Sequence, residues 1–390
     1  MTVDLSNVRI KEHFGITTNN TSTSQFAFLV SPPKNRESIE KEDIICLDHP
    51  KYGEACQVLA EVTEITSYEE VAGSGIGERV GRLQAVAQII GYFDLRSELK
   101  PLRKLLIPPN PGSRIYVPYA KFLEDIFGRG AEGEPHKTPL HLGKTEISAA
   151  SKEAIDEPLN FFLDSDDLTS KNTLISAVEG AGKTYAAKVI IEELANKTNC
   201  SIVVIDPNSE YTAQINTSKK DPDHAFIFQT FTINLDNSKT TEDLIVKQIK
   251  QNLMVSITGE NLTLEEKNKS YSRILNALAD CRRKKTAPPF MLVIEDAENI
   301  SPRAIRENLS VKNSATVLIT SHPSLLGGII LSRMQNQMIG KTADPKDMKY
   351  LKNVIGNNQE QLVSLAVGQW VVCGLNVIRP AKIHVRQQLT

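Results

Sequence analysis

Residues 171–188 read KNTLISAVEGAGKTYAAK. Thr173 to Val178 is apolar and β-branched, the composition of a buried strand. Glu179-Gly180-Ala181-Gly182 is a tight turn, and Lys183-Thr184-Tyr185 opens a run in which Ala186, Ala187, Val189, Ile190, Ile191 and Leu194 give a helix. Strand, small-residue turn and helix N-terminus make a phosphate cradle. Turn amides and the first helical N–H groups point at one place, and only small residues let the chain approach an anion closely. Lys183 adds a point charge for the outer phosphates, and the Thr184 hydroxyl can complete a Mg²⁺ shell otherwise made of phosphate oxygens and water. The expected nucleotide contacts are Glu179, Gly180, Ala181, Gly182, Lys183, Thr184 and Tyr185. Where the GxxxxGK[ST] pattern begins with glycine, this sequence has Ala177, a small departure. A helix start that merely contains Gly-Lys-Thr is the competing reading, and the strand before it and the helix after it weigh against that.

From the cradle onward strand alternates with helix, the pattern of a parallel sheet covered on both faces. Cys200 to Ile205 ends in Asp206-Pro207-Asn208-Ser209-Glu210-Tyr211. Ligands of open α/β sheets sit beyond the carboxyl ends of the strands, so Asp206 and Glu210 are nucleotide-site candidates, unless Asp206 only caps its own turn. Ala225 to Phe228 is expected as a strand, and Glu242 to Leu253 and Leu264 to Lys285 as helices. The second helix closes on Arg282-Arg283-Lys284-Lys285, cations that suit a helix C-terminus and could also face DNA. Phe290 to Ile294 is a buried strand ending in Glu295-Asp296. One acid would hold the metal's water shell and the next would polarise the attacking water. We assign Glu295, with Thr184, to the metal and Asp296 to the base. Multimeric ATPases usually have Asp then Glu, and the inverted pair with its shorter base predicts slow hydrolysis. Ala315 to Thr320 is the next strand, ending in Ser321-His322, where a polar side chain can touch the γ-phosphate or its attacking water.

At 390 residues the chain has length for two domains. Before the cradle, Gln25 to Val30, Ile44 to Leu47, Gln57 to Ile65, Leu83 to Phe93 and Arg114 to Val117 are short strands between Pro/Gly turns, which predicts a small all-β barrel or sandwich. Its histidines, His13 and His49, read as isolated surface residues. Tyr119 to Phe127 is a short helix. The division expected is 1–130 for the β domain, 131–150 for a connector and 151–390 for the α/β domain. Composition, 40% hydrophobic and 24% charged, is that of a soluble globular chain, and no apolar run is long enough to span a membrane. With no signal-peptide pattern at residues 1–14, a cytoplasmic protein is expected. Five scattered cysteines without a CxxC pair suggest neither zinc nor a disulfide framework. A net charge of −2 gives no basic exterior, yet leaves room for cations concentrated in a channel.

The whole pattern resembles the HerA-like family of the HerA/FtsK translocases, ring-forming ATPases. The resemblance lies in the barrel, the cradle AVEGAGKT, VIDPNSEY, LVIEDAEN, LITSHPSLL, MIGKTADPKDMKYL and the closing GQWVVCGLNVIRPAKIHVR. It implies a RecA-like P-loop ATPase domain behind a barrel, ATP and Mg²⁺ as cofactors, and a homohexamer with double-stranded DNA in its pore. It further implies a nuclease (NurA-like) or a defence effector docked on the barrel face, and a C-terminal strand that reaches the neighbouring subunit. It also brings Lys171, Lys341 and Arg379 to the nucleotide. Lys171 and Lys341 stand where the family commonly has arginine, and Ser321-His322-Pro323-Ser324 where it has Gln-Arg-Pro-Ser. Lysine lacks the planar fork that suits a transferring phosphoryl group, so turnover is again expected to be slow. Val311-Lys312-Asn313 and the Arg282 cluster are the pore candidates by position. An ATP-stabilised ring scaffold that assembles and activates an effector is the alternative to a DNA translocase.

Overall fold

The computed structural model describes residues 4–31, 39–71, 79–130, 132–145, 158–211, 230–235, 242–312, 314–355, 359–374, 377 and 380–388. Two compact units emerge, Met1–His136 with Thr145–Phe161 and Lys137–Lys144 with Phe162–Thr390.

In the first unit six antiparallel strands close into a barrel in the order β1-β2-β5-β4-β3-β6. They are β1 (Gly15–Thr21), β2 (Gln25–Val30), β3 (Ile44–His49), β4 (Gly53–Val71), β5 (Arg79–Asp94) and β6 (Arg114–Tyr116). Alternating residues fill the interior, among them Phe26, Phe28, Ile45, Leu47, Val58, Ala60, Ala85 and Ala87. β4 and β5 form one long hairpin whose register shifts between Leu59 and Ala60 and again between Val62 and Glu64. Such bulges bend a strand around a barrel, and they also blur the in-out alternation that would have given the register. β1, GITTNNT, escapes prediction because it is almost wholly polar; pairing with β2 and β6 holds it in place. Arg9 is buried, donates to Asp48 at 2.6 Å and Gln57 at 3.1 Å, and lies 3.6 Å from the Tyr116 ring centroid. His49 corrects the expectation of a surface histidine. It is buried beside Tyr92, its Nδ1 accepts from the amides of Lys51 and Tyr52, and burial lowers its pKa.

The other strands are β7 (Pro139–Thr145), β8 (Asn160–Asp164), β9 (Thr173–Ser176), β10 (Ser201–Ile205), β11 (Thr230–Asn234) and β12 (Met254–Thr258). After them come β13 (Phe290–Ile294), β14 (Thr316–Thr320), β15 (Asn336–Ile339), β16 (Gln369–Cys373) and β17 (Ala381–Val385). They form one sheet in the order β11-β12-β10-β13-β14-β9-β15-β16-β17-β7-β8. Every neighbouring pair from β11 to β15 is parallel, and β16 and β17 return antiparallel. Val203, Ile205, Leu292, Ile294 and Leu318 pack against Ile274, Leu275 and Leu278 of the helix Leu264–Lys284 and Ile305 of the helix Pro302–Leu309. Each such side chain contributes roughly 1.5–3 kcal/mol by leaving water. A capping box between Thr263 and Glu266 fixes where the longer helix begins.

One expectation changes. The helix expected to reach Leu253 stops at Gln251, and Met254–Thr258, five buried residues too short to show a period, is a strand. The connector contributes β7, whose first residues join the second unit. Ala381–Val385 pairs with β16 inside its own sheet. The strand expected at Ala225 to Phe228 lies outside the described residues.

Candidate nucleotide site

Parallel register sets the site. Ser176 is level with Thr320 and Ile339, Leu318 with Ile294, and Ile294 with Ile205. The residues that follow these strands, Ala177 onward, Ser321, Lys341, Glu295 and Asp206, therefore leave the sheet along one edge. This is the edge where open α/β sheets bind ligands.

The cradle is anchored on both sides: Ala177 N donates to Thr320 O at 3.4 Å and Val178 N to Lys341 O at 2.9 Å. Ala177 is accommodated in place of glycine because the residue facing it is Gly340, on which a Cβ would lie 2.9 Å from the Ala177 Cβ. Gly180 and Gly182 have φ of 74° and 93°, in the left-handed region that favours glycine. Gly182 is the N-cap of the helix Lys183–Lys197, and its carbonyl accepts from Ala186 N at 2.9 Å. Glu179 and Gly180 are exposed at the tip, and Lys183 Nζ folds back to donate to Val178 O at 3.3 Å.

Opposite stands Glu295, 5% exposed. Its carboxyl accepts from the Tyr211 hydroxyl and faces the Thr184 side chain. Burial, with the nearby charges of Asp296 and Glu210, pushes it up to about 7 against the opposing pull of those contacts. Asp296 is half-buried, takes a left-handed backbone (φ 47°) and accepts from Asn208 Nδ2 at 3.0 Å. The phosphate loop and the acid strand thus meet through Thr184 and Glu295.

Residues 152–301 match the family described as helicase HerA, central domain. That match contains both the phosphate loop and the acid strand. A probable helicase of Methanocaldococcus jannaschii, MJ1565, is 21% identical over 76% of this chain and 76% of its own length. The DNA double-strand break repair helicase HerA of Saccharolobus solfataricus is 27% identical over 45% of this chain, and the match spans only 40% of that relative. Among solved structures, VirB4 of Thermoanaerobacter pseudethanolicus aligns over 65% of this chain and 96% of its own, at 13% identity and a TM-score of 0.44. The genome packaging NTPase B204 of Sulfolobus turreted icosahedral virus 2, solved with ATP-gammaS, aligns over 55% and 96% at 18% identity and a TM-score of 0.40. Phosphate loop and acid strand leave one edge of the sheet with β14 between their strands, the arrangement of a P-loop ATPase.

The remaining candidates are placed unequally around the site. Asp206 holds its own turn: Oδ1 accepts from Glu210 N at 2.9 Å, and Oδ2 from Tyr211 N and Ser256 Oγ, both at 3.0 Å. Of the two readings, the turn cap is the one its contacts match. Glu210 is exposed beside it. Ser321 N donates to Glu298 Oε1 at 2.9 Å, and His322 Nδ1 lies 3.4 Å from the buried Asp347, which also accepts from Ser324 N at 2.9 Å. Tyr185, exposed in the first helical turn, accepts from Gln388 N at 2.6 Å. Lys341 is exposed beside the loop through its carbonyl contact with Val178. Lys171 precedes β9, at the opposite end of that strand from the cradle, and pairs with Asp167. Arg379 lies outside the described residues, as does Asn313.

Arg282 corrects the sequence reading of a DNA-facing cluster. Its guanidinium is buried under Phe290 and donates to the carbonyls of Phe290 (3.0 Å) and Ala315 (2.8 Å), and burial lowers its pKa to about 9. Arg283 pairs with Asp280 and Glu307, and Lys284 and Lys285 are exposed.

Sequence reasoning missed Tyr211, Asn208, Glu298 and Asp347. Tyr211 and Asn208 sit in the quoted VIDPNSEY and Glu298 in LVIEDAEN, so proximity to a strand end was the available signal. Asp347 sits in the quoted MIGKTADPKDMKYL, but nothing in that run ties it to His322. Among the described residues no group of three or more His, Cys, Asp or Glu is placed to hold a metal alone. The Thr184 hydroxyl and Glu295 carboxylate are hard oxygen donors. They fit Mg²⁺, which takes one or two protein oxygens and completes its shell with phosphate and water.

Proposed function

We propose that this chain is the subunit of a homohexameric, Mg²⁺- and ATP-dependent double-stranded DNA translocase, its barrel unit docking a partner nuclease in DNA-end processing or antiviral defence. The observation that carries the reading is the meeting of Thr184 and Glu295 across the phosphate loop. The family match over residues 152–301 supports the DNA-handling part.

The residues divide the work. Loop amides and Lys183 hold the phosphates, and Thr184 and Glu295 hold the cation. When bound, Mg²⁺ neutralises charge on the phosphate oxygens. Asp296, fixed by Asn208, accepts the proton of the attacking water. His322, oriented by Asp347, stands at the neighbouring strand end where the outer phosphate would be sensed. Lys171, at the far edge of the sheet, could serve only a nucleotide bound by a neighbouring subunit.

ATP hydrolysis measured with and without linear duplex DNA tests the proposal. Stimulation by DNA, abolished by Lys183→Ala, is expected; an intact ring indifferent to duplex, with any partner supplied, would remove the translocase reading. The second reading, an ATP-stabilised ring scaffold for an effector, is favoured by the short Asp296 and by Lys171 and Lys341 at the expected arginine positions. It gains if Asp296→Asn leaves effector activity intact while Lys183→Ala prevents assembly.

A further inference from the structure

We propose that Tyr211 is a positioning residue for the catalytic metal: its hydroxyl aims Glu295 at Thr184, so that a divalent cation meets a carboxylate already turned toward the phosphate loop. This rests on the nucleotide reading above and adds a residue to it.

The arrangement begins two strands away. Asp206 N donates to Ile257 O at 3.0 Å, and Ser256 Oγ to Asp206 Oδ2 at 3.0 Å, so the strand end of β12 fixes the aspartate. The aspartate in turn gathers the amides of Glu210 and Tyr211, which folds residues 206–211 into a turn of one shape. Tyr211 leaves that turn fully buried, its ring 5.4 Å from Lys188 Nζ on the phosphate-loop helix. Its hydroxyl donates to Glu295. Packing alone asks only for the ring. The hydroxyl goes to the one carboxylate that also meets Thr184. Donors behind a metal ligand fix its orientation before the metal arrives, and their loss typically costs 10–100-fold in metal affinity. Mg²⁺ demands near-ideal octahedral geometry whereas Ca²⁺ accepts irregular shells, so a positioning role predicts a penalty that depends on the cation.

The test is binding of a fluorescent ATP analogue to the full-length protein in EDTA and across Mg²⁺ and Ca²⁺ titrations, for wild type and Tyr211→Phe. We expect affinity in EDTA within about 2-fold of wild type, half-saturation by Mg²⁺ raised about 10-fold, and a smaller shift with Ca²⁺. A Mg²⁺ half-saturation unchanged by the substitution, equal shifts with both cations, or a matching loss in EDTA would each overturn the inference. Should Tyr211→Phe melt below the assay temperature, Ser256→Ala loosens the same turn from a distance. A smaller Mg²⁺ shift in the same direction is then expected, and no shift overturns the proposal. If the wild-type chain binds no nucleotide at all, the underlying reading fails rather than the role of Tyr211.

Discussion

At the end of β13 two adjacent acids have unlike surroundings: Glu295 is buried between Tyr211 and Thr184, and Asp296 is half-buried and tied to Asn208. Environments that set neighbouring carboxyls apart give them different tasks. Asp296→Asn should lower single-turnover hydrolysis by about 10²-fold or more while fluorescent-nucleotide binding persists. The left-handed backbone of Asp296 also accounts for the order of the pair, since Asp and Asn tolerate that region better than Glu. Asp296→Glu should therefore cost roughly 1 kcal/mol in chemical unfolding and bring no gain in turnover. Glu295 makes a pH prediction. Its folded pKa of about 7 lies above the ordinary carboxylate value of 4.5, so the folded protein holds this proton longer than the unfolded one. The contribution is full below 4.5 and is lost as pH rises through 7. Melting curves of nucleotide-free wild type should fall across that window relative to Glu295→Gln.

Among the elements, the phosphate-loop helix Lys183–Lys197 is held from outside as well as by the sheet. Arg386, just after β17, donates to Glu192 at 3.2 Å, to Glu193 at 3.0 Å and to His141 O at 3.1 Å, and Glu192 is fully buried. Removing one partner of a buried ion pair costs about 3–5 kcal/mol, so Arg386→Ala should lower stability to denaturant by that order. The sequence disclosed much of this layer. Strand, turn and helix around Gly182 were legible because each has its own period and the turn needs glycine twice. Glu295-Asp296 and Ser321-His322 were legible as polar ends of apolar runs. Four things were not. β12 is too short to declare a period, β1 is too polar, Arg282 looks like any helix-end cation, and the pairing of Tyr211 with Glu295 depends on two strands that only the fold brings side by side.

At the scale of the molecule, the proposed ring makes two measurable statements. Particle mass should change from smaller species to a hexamer when ATP and Mg²⁺ are added, and Lys183→Ala should not assemble. DNA stimulation of hydrolysis should weaken steeply with salt and be indifferent to sequence, because phosphate contacts release counterions and read no bases. The barrel sets a condition on the partner. Among the described pairings, each strand has a neighbour on both sides around the barrel wall, but the far part of the β4–β5 hairpin, Ser67–Val71 against Arg79–Leu83, pairs only within itself. A visitor that docks on this unit by adding a strand of its own has that protruding ribbon as its landing rail.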